Sequence, residues 1–146
     1  PGELSLECSR SGAAAAALWA TLRAVPLTRD GLGSHLAGAR SAALALADQI
    51  RHLDGWTLVL EPDLDIVCWY PTRTTASAVT AATDVAFQQL AERGWHVAKL
   101  VVNAIDLGLE ADQPTVTVLR STLMKPEHAG IVDEFAGVLS ALDLGT

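Results

Sequence analysis

Apolar positions along this chain switch between a helical and a strand-like period, and the switches mark its elements. From Leu32, the residues Leu36, Ala39, Ala43, Leu46, Ile50 and Leu53 follow one another at steps of four and three. They form one apolar stripe over roughly six helical turns. Arg40, Asp48 and Arg51 fall off the stripe and are expected to face water, and Asp54-Gly55 stops the helix. Ahead of it, alanine-rich Gly12 to Ala24 predicts a shorter helix capped by Ser9 or Ser11. Trp19 and Leu22 would supply its packing face and Pro26 its end.

Beyond Gly55 the period shortens. Trp56 to Leu60 and Leu64 to Tyr70 read as short strands around Glu61-Pro62-Asp63, with Pro71 ending the second. A helix follows from Thr74 or Thr75 to Arg93, with Ala78, Val79, Ala82, Val85, Ala86 and Leu90 inward and Gly94 at its stop. Trp95 to Asn103 and Thr115 to Leu123 are the last strands, joined by a loop over Asp106 to Pro114. Pro126 and Glu127 suit the first turn of a final amphipathic helix marked by Ile131, Phe135, Val138 and Leu142. This order predicts an α+β domain, a small mainly antiparallel sheet of roughly three to four strands covered by helices.

Composition narrows the classes. Half of the 146 residues are hydrophobic and only 18% are charged, which supports a buried core and argues against disorder. A net charge of −7 is the wrong sign for a nucleic-acid footprint. No apolar run approaches the roughly 20 residues of a membrane helix, and no basic segment precedes Ala13 to Ala20 as a leader would require. Cys8 and Cys68 form no CxxC; they allow a lone disulfide, but two reduced thiols in a cytoplasmic protein are the expectation.

Little of the candidate chemistry is strong. His35, His52, His96 and His128 lie on separate elements without ligand spacing, so no metal site is expected. Gly31-x-Gly33 follows a helix rather than a strand and reads as a turn, not a dinucleotide loop. Glu61, Asp63 and Asp65 fit a solvated hairpin loop, and Cys68 a core thiol. Lys99 and Lys125, the only lysines, have no activating context. Arg120 is different. It is the one charge between Thr115 and Met124, and at two-residue spacing its neighbours are Val116, Val118, Thr122 and Met124. It either faces water or is held for an anion, and that mostly apolar set favours the anion.

Three stretches carry a resemblance. Val118-Leu119-Arg120-Ser121-Thr122-Leu123-Met124-Lys125-Pro126, followed by an acidic amphipathic helix, resembles the C-terminal end of the pyridoxal-phosphate-dependent group II amino-acid decarboxylases. Leu4-Ser5-Leu6-Glu7-Cys8-Ser9-Arg10-Ser11-Gly12 with Ala17-Leu18-Trp19 is similar to the family's entry into its small domain. Glu61 to Trp69 is similar to its hairpin.

The resemblance implies the small C-terminal domain of an aspartate-aminotransferase-like (fold type I) enzyme. Residues 1–27 would be the lead-in and helix linking to an absent cofactor domain, and 28–146 the small α+β domain. It further implies that Arg120 binds the substrate carboxylate and that Arg10 helps position the site. The complete enzyme would hold pyridoxal 5'-phosphate and work as a homodimer. No His-Lys pair exists here, so catalytic and cofactor-binding residues would belong to an N-terminal cofactor-domain part or a separate subunit. Pro1 would then mark a boundary near the family's mobile active-site loop. The alternative from another class is a non-catalytic α+β module that binds a small acid or dimerises.

Overall fold

The computed structural model describes residues 12–145, apart from the Pro126 side chain. Contacts divide the chain into two compact units, one ending at His35 and the other running from Leu36. In the first, α1 (Ala13–Ala24) starts at Gly12, which has no side chain to cap it. Ser9, Ser11, Cys8 and Arg10 lie outside the described residues. None of the residues of α1 is buried, and Trp19 is 65% exposed instead of packed inward. Its ring carries the Arg23 guanidinium 5.3 Å from the centroid, a pairing that helical spacing allows. The Gly31-x-Gly33 segment is a tight turn: a Cβ on Gly31 would stand 2.2 Å from the Pro26 carbonyl oxygen. Only glycine permits that approach.

α2 (Leu32–His52) begins in the first unit, and from Leu36 on it belongs to the second; its buried residues, all in the second, are Ala39, Ala42, Ala43, Leu46, Ala47 and Ile50. The expected stripe holds from Ala39 onward, while Leu36 is 52% exposed. Four strands follow: β1 (Trp56–Leu58), β2 (Ile66–Pro71), β3 (Ala98–Asn103) and β4 (Thr115–Thr122). Their order in the sheet is β1-β2-β4-β3, and every neighbouring pair is antiparallel. The α+β expectation is met. The third strand starts later than its sequence suggests, because Trp95 and Val97 pack against the core before the ladder begins.

β4 is buried on both faces, which is why its apolar residues do not simply alternate. Leu119 joins Val67, Trp69, Ile50, Leu90 and Phe135 in the larger core. Val116 and Val118 join Tyr70, Ala76, Val79 and Ala104 in a second cluster on the opposite face. The helix α3 (Ala76–Glu92) packs against β4 and β2, its Thr80 hydroxyl accepting the Thr117 N–H at 3.1 Å. The chain ends in a 3₁₀ turn (Pro126–Ile131) and α4 (Val132–Ser140), in place of one continuous helix.

The start of α3 is tied to the loop before β4. Thr75 caps the helix, its hydroxyl accepting the Ala78 N–H at 3.2 Å. The Asp112 carboxylate accepts the Ser77 hydroxyl and, at 3.0 Å, the Ser77 N–H. Those hydrogen bonds, the side-chain one foremost, hold the Asp112 pKa below the ordinary aspartate value. A depressed folded pKa contributes stability above the unfolded pKa and loses it as pH falls through the folded one. Asp112→Ala should therefore destabilise the chain near neutrality and converge with the wild type in acid. Urea unfolding across that range checks this, and a pH-independent difference would refute it.

Candidate anion site

Arg120 lies in the second half of β4, where both neighbouring strands are present. In register it stands across from Cys68 on β2 and from Ala98 on β3. All three share a face with Val118, because side chains alternate along a strand and directly opposed residues point the same way. Of the same-face neighbours expected from sequence, Val116 and Val118 are buried and Thr122 is half-buried. Met124 lies past the strand and is 64% exposed.

The guanidinium itself is the chemically conspicuous feature. Arg120 is half-buried, and its Nε is buried with no hydrogen-bond partner among the described residues. A buried donor left unpaired costs about 1–3 kcal/mol, more for a charged group, so an acceptor arriving there would be bound. Arginine's planar fork favours a carboxylate or phosphate. Across the ladder, burial pushes the Cys68 thiol pKa up and the positive charge of Arg120 pulls against it. Burial is the larger effect, so the thiol is neutral at physiological pH.

Arg120 is also among the residues around a cavity of about 340 Å³ where β4 ends and β3 begins, a volume within the range of small-molecule sites. Leu46 and Phe135 around it belong to the larger core, on the face opposite the one that the Arg120 side chain shares with Val118. Trp95 and Phe135 line it too, their rings 5.0 Å apart and tilted, together with His96 and His128. The histidines are 32 positions apart in sequence, and only the fold brings them to one cavity. His128 Nδ1 accepts the Lys125 N–H at a long 3.5 Å. Nothing in their sequence positions could have signalled this convergence.

Other candidates resolve into structural roles. Arg51 pairs with Asp48 at 3.0 Å and with Glu61 at 2.5 Å, and Arg40 donates to the Asp63 carbonyl at 3.0 Å. The acidic hairpin is thereby fastened to α2. Lys99 pairs with Asp84 at 3.0 Å and lies 5.0 Å over the Phe87 ring, binding β3 to α3. Among the described residues no three His, Cys, Asp or Glu side chains gather as a metal site. No described helix is long and apolar enough to cross a membrane.

No family model matches the chain, and no curated protein matches it in sequence. Solved structures do match its fold. Oryza sativa TDC, crystallised with PLP and tryptamine, aligns with a TM-score of 0.64 at 19% identity, over 84% of this chain and 25% of its own. Catharanthus roseus tryptophan decarboxylase in complex with L-tryptophan aligns at 0.61 and 19% identity, over 84% and 24%. The glutamate decarboxylase domain of a Vibrio parahaemolyticus diaminobutyrate-pyruvate transaminase and L-2,4-diaminobutyrate decarboxylase aligns at 0.56 and 20%, over 84% and 25%. The chain spans about a quarter of the length of these structures and has the fold of that portion.

Proposed function

We propose that this chain is the C-terminal small domain or subunit of a pyridoxal-phosphate-dependent amino-acid decarboxylase, in which Arg120 holds the substrate carboxylate. The observation that carries the reading is the buried, unpartnered Nε of Arg120 on a strand of a decarboxylase-like fold. Bound through its fork, a carboxylate would be fixed in orientation as well as charge, as decarboxylation requires of the bond to be broken.

The chain's own residues do not fit the cofactor. Lys99 is engaged by Asp84, and Lys125 is exposed ahead of the 3₁₀ turn. Neither stands where a Schiff base and a partner for the ring nitrogen could form together. The cofactor is accordingly assigned to an N-terminal part or separate subunit, in a homodimer when complete, and the isolated chain is inactive. Residues up to about position 27, Arg10 among them, would link the two parts and help order the site. A cytoplasmic location goes with this reading.

Affinity purification of the chain from its native cell tests it. A partner carrying a His-Lys pair and visible pyridoxal absorbance should copurify. The assembly should release carbon dioxide from L-tryptophan, L-glutamate or L-2,4-diaminobutyrate, the trial substrates suggested by the similar folds. The chain alone should release none. A solitary chain that binds small acids without any such partner would favour the non-catalytic module instead.

A further inference from the structure

We infer that Cys68 and Ala98 set the specificity of the Arg120 site by being small and neutral, leaving the guanidinium for the carboxylate of an incoming ligand. This rests on the reading of Arg120 as a carboxylate site. The geometry is that of a central strand. Arg120 has one residue directly across on each side, Cys68 and Ala98, on the same face of the sheet. Directly opposed side chains begin only about 5 Å apart, so these two positions are the ones from which a neighbouring strand could most easily supply a counter-charge.

Neither does so. Alanine has no polar atom, and the thiol opposite remains protonated because burial outweighs the pull of Arg120. Two residues further along each way, on the same face, the flanking pairs are Val118 with Leu100 and Thr122 with Ile66, which are also uncharged. The positive charge is therefore held in a half-buried place by directly opposed residues that do not neutralise it. A sheet arginine with only a structural role would normally be paired with an acid across the ladder. Here the complement has been left to come from outside the described residues.

The test uses the assembled enzyme, the trial amino acid it turns over fastest, and three variants. Cys68→Asp and Ala98→Asp each place a carboxylate beside the guanidinium. Both should raise KM by roughly tenfold or more, with kcat changed much less, on the scale of a partly buried ion pair. Cys68→Asn has nearly the size of aspartate without its charge, and should raise KM several-fold less. Unfolding of the same chains separates charge from damage: Cys68→Asp should be at least as stable as Cys68→Asn, because its carboxylate gains a partner.

Equal KM values for Cys68→Asp and Cys68→Asn, or an unchanged KM in both aspartate variants, would overturn the inference. Should one aspartate variant fail to fold, the other decides from the opposite strand. Arg120→Ala separates the two levels of the argument. If that variant loses kcat/KM while Cys68→Asp and Ala98→Asp do not, only the role of the flanking residues falls. If it keeps kcat/KM, the carboxylate site itself falls, and this inference with it.

Discussion

On the proposed reading, Arg120→Ala in the assembled enzyme is expected to lower kcat/KM by roughly thirty- to a thousandfold, about 2–4 kcal/mol, while the pyridoxal absorbance stays as it was. The size follows from removing one partner of a charged hydrogen-bonded pair in a half-buried setting. The loss should extend to kcat, because a carboxylate that has lost both bonds of the fork is misoriented as well as weakly bound. Arg120→Lys should recover only part of it. Lysine keeps the charge but has no fork, and its compact ammonium is more strongly hydrated than a guanidinium. A wild-type kcat/KM in Arg120→Ala would remove Arg120 from substrate binding. A loss of cofactor absorbance in parallel would instead make it a structural residue of the assembly.

Sequence shows that Arg120 is an unusual charge, but not what surrounds it. Period and β-branched residues identify the strand, and two-residue spacing identifies Val116 and Val118 as its buried companions. Register is a property of pairs of strands, so nothing local reveals that Cys68 and Ala98 stand opposite Arg120. The same holds for His96 and His128 at one cavity. The stripe of α2 is legible where Ala39 to Ile50 meets the core and fails at Leu36, because periodicity says which face is apolar and not where its cover ends. At Trp95 the failure has another cause. Its burial satisfies the apolar pattern without a ladder, so hydrophobicity extended the strand three residues beyond its hydrogen bonds.

Trp69→Ala should cost about 3–5 kcal/mol, a large part of the roughly 5–15 kcal/mol available to a domain of ordinary stability. Trp69 is fully buried on β2, paired with Leu58 on β1 and Leu119 on β4. Its ring meets Phe135 of α4 edge-on at 5.9 Å, and Phe135 in turn rests on Trp95. The side chain thus couples the middle of the sheet to the last helix, and truncation leaves a cavity that both would have to close. Trp69→Phe should be far milder. The indole Nε1 is buried without a hydrogen-bond partner among the described residues, so phenylalanine also removes an unsatisfied donor. Relief of about 1–3 kcal/mol then offsets much of the lost volume. Urea unfolding of the two variants checks the pair, and a Trp69→Phe cost as large as that of Trp69→Ala would show that the indole N–H is satisfied after all. Because Cys68 adjoins Trp69 on the same strand, Trp69→Ala should also loosen the wall beside Arg120. Trp69→Phe, which keeps the strand in register, should leave carboxylate binding close to wild type.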